Sequence, residues 1–132
     1  MPKLIHTMIR VRDLDKSLRF YQDALELRVA HRLDFPDFTL AYLRNDESAS
    51  ELELTWNKAR TEPYTHGDGY GHVAVSVADA KAERDRLIGL GMEPLDLKEF
   101  KGDDGQLIAR FFFILDPDGY KIEVLERHGH YE

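Results

Sequence analysis

Four side chains scattered along 132 residues have the types that hold a divalent cation and move a proton: His6, Glu53, His72 and Glu123. The imidazoles stand in HTMIRV and HVAVSV, the carboxylates in ELELTWN and KIEVLE. Each glutamate lies between apolar neighbours, Leu52 and Leu54 in one case, Ile122 and Val124 in the other. Side chains alternate along a strand, so each carboxylate falls on the face opposite those neighbours. Taken singly, each residue has an ordinary reading. Glu51, Glu53, Thr55 and Asn57 share a face that is simply polar, and an isolated histidine is a surface or hydrogen-bonded core residue. Taken together they recur. An offset of 66 pairs His6 with His72, Val11 with Val77 and Asp13 with Asp79, and an offset of 70 pairs Leu52-Glu53-Leu54 with Ile122-Glu123-Val124. Unrelated surface residues have no reason to repeat in this way. Two imidazole nitrogens and two carboxylate oxygens form a mixed set suited to a divalent transition metal, with positions left for water or substrate.

Positioning such groups needs regular elements, and the apolar pattern supplies them. Residues 4–11 read as a strand with Ile5, Thr7, Ile9 and Val11 on one face and His6, Met8 and Arg10 on the other. Asp13 or Asp15 caps a helix in which Leu14, Leu18, Tyr21 and Leu25 fall at helical spacing. Strands are expected over 28–34, 38–44 and 51–57, with turns at Pro36-Asp37 and 45–50. Residues 58–69, rich in Gly, Pro, Thr and charge, read as a linker. The pattern then restarts: a strand over 71–77, a helix over 80–90 capped by Asp79 and stopped at Gly91, and strands around 93–97, 108–115 and 120–126. Asp116-Pro117-Asp118-Gly119 joins the last two. A longer loop around 101–105 accounts for the change of offset. The expectation is one α+β domain over 1–132, built of tandem βαβββ modules that form curved mixed sheets. Module one covers about 1–57, the linker about 58–69 and module two about 70–127.

Composition excludes several classes. With 18 Lys+Arg against 25 Asp+Glu the net charge is −7, the wrong sign for a general nucleic-acid binder. A mean hydropathy of −0.49 and the lack of a long apolar run argue against a membrane span. There is no cysteine, so disulfides, Cys-ligated zinc and thiolate catalysis are excluded. This is compatible with the cytoplasm, as is a start, Met1-Pro2-Lys3, that reads directly into a strand without a signal segment. Ser17, Ser48, Ser50 and Ser76 stand in no nucleophile-elbow pattern, and HGDGYG lacks the context of a phosphate cradle. His31 reads as strand surface, and His66, His128 and His130 as loop or tail. In Phe111-Phe112-Phe113 one ring must face away from its neighbours and is a candidate to line a cavity.

The segments HTMIRV-RDLDKSLRFYQDAL, ELTWN, YGHVAVSV and DPDGYKIEV, in that order, resemble the glyoxalase I (lactoylglutathione lyase) family of the vicinal oxygen chelate superfamily. The resemblance runs from residue 4 to about 125. It implies the glyoxalase/bleomycin resistance-like fold, a homodimer with interfacial sites, and a divalent metal held by His6, Glu53, His72 and Glu123. One partner would supply the first His–Glu pair and the other the second. Short members resembling this chain use Ni²⁺ or Co²⁺; longer ones use Zn²⁺. The implied reaction is isomerisation of the methylglyoxal–glutathione hemithioacetal to S-lactoylglutathione, that is, methylglyoxal detoxification with glutathione as co-substrate. A metal at the substrate oxygens would offset the charge created by proton loss, Glu123 would shuttle the proton, and Glu53 would be a ligand assisting at the opposite face. Arg10 matches the first-strand arginine that holds the glutamyl carboxylate, Asn57 matches the asparagine sharing that duty, and Lys101 is a candidate for the glycyl carboxylate.

The chain also departs from the family pattern. Lys58 stands where Trp usually follows ELTxN, with Trp56 two residues earlier, and Asp68 stands where longer members have arginine. Both departures bear on the thiol conjugate rather than the metal. The alternatives are another metalloenzyme of the superfamily, such as an acyl-CoA epimerase, or a metal-free drug-binding resistance module. Retention of both His and both Glu argues against the latter.

Overall fold

The computed structural model describes Met1–Glu132 and divides them into two units, Met1–Thr65 and His66–Glu132. The first contains β1 (His6–Val11), α1 (Leu14–Leu25), β2 (Arg28–Asp34), β3 (Phe38–Arg44) and β4 (Glu51–Asn57). The second contains β5 (Val73–Val77), α2 (Ala80–Gly89), β6 (Lys98–Lys101), β7 (Leu107–Leu115) and β8 (Lys121–Glu126). Each unit is a four-stranded mixed sheet, in the orders β1-β4-β3-β2 and β5-β8-β7-β6. First and last strands pair in parallel and the remaining pairs are antiparallel. This is the α+β, twice-repeated βαβββ architecture expected from the sequence.

Local chemistry explains the element boundaries. Asp13, extended at the N-cap of α1, accepts the backbone N–H of Lys16 at 3.1 Å, and Asp79 accepts that of Ala82 at 2.9 Å in α2. Helix α1 ends with Glu26 in the left-handed region, where the N–H groups of Glu26 and Leu27 close back on the carbonyls of Gln22 and Tyr21. It buries Leu14, Ser17, Tyr21 and Ala24, and its unit's core is completed by Val11, Ala41, Leu43 and Leu54. In the second unit Leu87, Phe112, Ile122 and Val124 are fully buried. At 116–119 the Asp116 carboxylate accepts the N–H groups of Asp118 and Tyr120, each at 2.9 Å, which satisfies a carboxylate that is only 5% exposed.

Three expectations need correction, and β5 too begins two residues later than expected, at Val73, so that His72 stands just before it. Strand β1 starts at His6, leaving Leu4 and Ile5 exposed, because its partner β4 begins only at Glu51. The strand expected around 93–97 lies instead at Lys98–Lys101. Pro94 offers no N–H, and Arg84 takes the carbonyls of Leu95 and Pro94 at 2.8 and 3.4 Å, so that stretch gains only the bond from Leu95 N–H to the Phe113 carbonyl. Pairing resumes where Glu99 meets Arg110 across the ladder, and Arg110 reaches on to Glu126 at 2.7 Å. In the phenylalanine run, the ring facing away from its neighbours is Phe112, and it fills the core; Phe111 and Phe113 occupy the other face.

Phe112→Ala removes a side chain with no exposed surface and should lower unfolding free energy by about 3–5 kcal/mol, read from denaturant midpoints at unchanged slope.

Candidate functional site

In unit 1 the parallel ladder sets His6 opposite Glu51, Met8 opposite Glu53 and Arg10 opposite Thr55. His6 and Glu53 therefore sit diagonally on one face, the face opposite buried Leu52 and Leu54. Strand β3 adds Tyr42 directly across from Glu53, Leu40 across from Thr55 and Phe38 across from Asn57. The Tyr42 ring stands edge-on to His6, centroids 5.4 Å apart at 70°. Glu53 is only 7% exposed, and a buried carboxylate needs a donor. The Tyr42 phenol, directly across the ladder, is the group that can donate to it. Its hydrogen bond to Glu53, followed by burial and the charges of Glu53 and Glu51, holds the phenol above the ordinary tyrosine value.

Unit 2 repeats the arrangement. His72 immediately precedes β5, Ala74 stands opposite Glu123, and His72 Nε2 lies 3.7 Å from Glu123 Oε1. Strand β7 places Phe113 across from Glu123, edge-on to His72 at 5.5 Å and 75°. Each unit thus presents one imidazole and one carboxylate, a half-set of mixed nitrogen and oxygen donors suited to a borderline divalent cation. Neither unit holds a group of three or more His, Asp or Glu side chains placed to take a metal.

Residues 3–124 match the Glyoxalase/Bleomycin resistance protein/Dioxygenase superfamily. The chain belongs to this superfamily. The lactoylglutathione lyase of Haemophilus influenzae is 43% identical over 130 residues, 94% of this chain and 92% of that protein. The lactoylglutathione lyase of Neisseria meningitidis is 38% identical over 131 residues, 95% and 91% of the two chains. Among solved structures, the trypanothione-dependent glyoxalase I of Leishmania major superposes with a TM-score of 0.75 at 35% identity, over 96% of this chain and 87% of that one. Glyoxalase I of Zea mays superposes with a TM-score of 0.82 at 26% identity, over 96% of this chain and 45% of the longer one. The paired βαβββ units are the vicinal oxygen chelate fold.

The other candidate residues of this glyoxalase-superfamily chain are placed as follows. Arg10 shares the His6–Glu53 face and is exposed. Asn57, at the end of β4, donates an amide N–H to the Tyr64 hydroxyl at 3.3 Å and keeps a second N–H. Lys101 ends β6, the edge strand farthest from β5 in unit 2, and lies 3.5 Å from Glu99; the structure does not bring it to the His72–Glu123 pair. Lys58, where the family pattern has Trp, donates from Nζ to the Phe35 carbonyl at 2.7 Å and ties down the β2–β3 turn. Asp68 lies exposed in the turn that follows Gly67. His66 stacks on Tyr120 at 4.2 Å, and His128 Nε2 bonds the Leu107 carbonyl at 2.9 Å, so both serve packing within unit 2. A hollow of about 410 Å³ lined by Arg28, Arg44 and the 45–49 loop contains neither pair. Its arginines are matched by Asp46 at 2.6 Å and Glu51 at 3.7 Å.

Tyr42 and Phe113 are the site-face residues that spacing does not reveal. The two-residue period of FTLAYLR puts Phe38, Leu40 and Tyr42 on one face, but only the β3–β4 register sets Tyr42 against Glu53, and a loop as long as 45–50 does not fix register.

In alkaline titration of the metal-free protein, the absorbance step missing from Tyr42→Phe should lie above the ordinary tyrosine range. Glu53→Gln should move that step down, because it removes the charge that disfavours phenolate. An unmoved step would show that Glu53 is not its cause.

Proposed function

We propose that the chain is a metal-dependent lactoylglutathione lyase (glyoxalase I) that isomerises the methylglyoxal–glutathione hemithioacetal to S-lactoylglutathione. What supports this most is the repeated imidazole–carboxylate pair on the same face of two βαβββ units, in a chain 43% identical over nearly its whole length to a lactoylglutathione lyase.

His6, Glu53, His72 and Glu123 are the residues that would hold the cation. By the chain's likeness to the glyoxalase I family, the first pair would come from one copy of the chain and the second from its partner, in a homodimer with the sites at the interface. The cation, Ni²⁺ or Co²⁺ by the chain's likeness to short family members and Zn²⁺ by that to longer ones, supplies Lewis-acid stabilisation of negative charge on the substrate oxygens.

The remaining work falls to the protein's own groups. The reaction takes a proton from one carbon and returns it to the next, which a single carboxylate can do as base and then acid. Glu123 fits that role, since it stands beside an imidazole and across the ladder from a phenyl ring and its side chain keeps 16% exposure. Glu53, bound to a phenol and more deeply set, fits the part of ligand assisting at the opposite face. Leu40 and Phe38 lie on the same face of unit 1 and are the apolar groups that would keep water from the reacting carbons. Arg10, on the His6–Glu53 face, and Asn57, at the end of β4, are our candidates for the glutamyl carboxylate; Lys101, which stands apart from the His72–Glu123 pair on edge strand β6, would meet the glycyl one only at the rim. No helix is long and apolar enough to cross a membrane; we place the protein in the cytoplasm, in line with a cysteine-free chain.

The test strips the protein with a chelator, restores Ni²⁺, Co²⁺, Zn²⁺ or Mn²⁺ separately, and follows thioester absorbance from methylglyoxal plus glutathione. Activity should vanish with the metal and return most fully with Ni²⁺ or Co²⁺. Glu123→Gln should lower kcat by about 10²- to 10⁴-fold, the usual contribution of a positioned acid–base group. Thioester formation without metal, or full activity in Glu123→Gln, would overturn the assignment.

A further inference from the structure

The two pairs share one aromatic scaffold and differ at one hydroxyl. Tyr42 stands across the β3–β4 ladder from Glu53, and Phe113 stands across the β7–β8 ladder from Glu123. Each ring lies edge-on to its unit's histidine, at 5.4 Å and 70° in unit 1 and at 5.5 Å and 75° in unit 2. The rings therefore do the same steric work. What unit 1 adds is a phenol O–H across the ladder from its carboxylate, where unit 2 has a phenyl ring that cannot donate.

A carboxylate has two oxygens, so one can accept the phenol while the other stays free for a cation. A donor of this kind fixes the rotamer of a ligand before the ion arrives, so less freedom is lost on binding. Glu53, buried and with the phenol across the ladder from it, is set in this way; Glu123, only partly buried beside His72 and across from Phe113, is not. We propose that Tyr42 is a positioning residue that pins Glu53 as the fixed carboxylate ligand, and that phenylalanine at the equivalent place in unit 2 leaves Glu123 free to turn between cation and substrate. The division of labour between two carboxylates in otherwise matching places is then written in one oxygen atom. This inference rests on the metal assignment above and adds to it the device that makes the halves unequal.

Two substitutions exchange the devices. Tyr42→Phe removes only the hydroxyl, and Phe113→Tyr supplies one beside Glu123. Co²⁺ affinity is measured by competition with a chromophoric chelator, and the Co²⁺ absorption bands report the ligand arrangement independently of turnover. Tyr42→Phe should weaken Co²⁺ binding by about 10- to 100-fold, the usual effect of losing a group that orients a ligand, and should alter the bands while KM for the hemithioacetal stays unchanged. Phe113→Tyr should keep or tighten Co²⁺ binding and lower kcat at least tenfold, because a second phenol ties down the moving carboxylate. Wild-type affinity and bands in Tyr42→Phe, or undiminished kcat in Phe113→Tyr, would overturn the proposal. Should Tyr42→Phe fail to fold, Phe113→Tyr decides it alone. A wild-type protein that takes up neither Co²⁺ nor Ni²⁺ would instead overturn the metal assignment itself, a separate outcome.

Discussion

Everything at the candidate site depends on the parallel pairing of the first and last strands within each βαβββ unit. A parallel ladder brings residues far apart in the chain side by side, at a register that local sequence does not set. In unit 1 that register puts His6 diagonal to Glu53; in unit 2 it sets Ala74 opposite Glu123, and His72, just before β5, comes within 3.7 Å of that carboxylate. The apolar neighbours hold it. Leu52 and Leu54 are buried on one side of β4, as are Ile122 and Val124 on β8. A slip of one residue would turn these side chains to solvent and drive a glutamate into the core. Burying an unpaired carboxylate costs several kcal/mol, more than a surface strand contact returns. The core therefore enforces the position of the polar pair from the opposite face of the strand.

The repeat gives two copies of a scaffold and the chain equips them differently. Arg10 on β1 answers to Ser76 on β5, whose hydroxyl is engaged by Arg127 at 3.4 Å. Glu51, opposite His6, answers to Lys121, whose ammonium lies 5.8 Å from the centre of the Phe113 ring. Tyr42 answers to Phe113. Unit 1 thus carries a guanidinium and a phenol on the face of its glutamate, where unit 2 carries a serine hydroxyl and a phenyl ring. A duplicated fold allows such division because the backbone that aligns the donors is the same in both halves while individual side chains change around it.

Much of this was legible in the sequence because it follows from local rules. The caps at Asp13 and Asp79, the turn at 116–119, the strands over 28–34, 38–44 and 51–57, and the faces of His6, Glu53, His72 and Glu123 follow from capping, turn chemistry and two-residue alternation. What depends on tertiary partners was not legible. The shift of β6 to Lys98–Lys101 comes from Arg84 competing for the carbonyls of Pro94 and Leu95. The burial of Phe112 rather than its flanking rings depends on which face of the sheet the helix covers. Tyr42 stayed hidden because alternation gives its face but not the residue it meets, and Lys58 because a departure from a family pattern says nothing of the turn carbonyl it has come to serve.

The proposed function requires the two pairs, neither sufficient alone, to make one site. Metal content per chain measures this directly, in the wild type and in the double variant His6→Ala with Glu53→Ala. The expected result is one ion per chain in the wild type and none in the variant, since the intact His72–Glu123 pair cannot retain an ion unaided. A variant that still holds half of the wild-type metal would show that each pair binds independently, and would contradict the shared site.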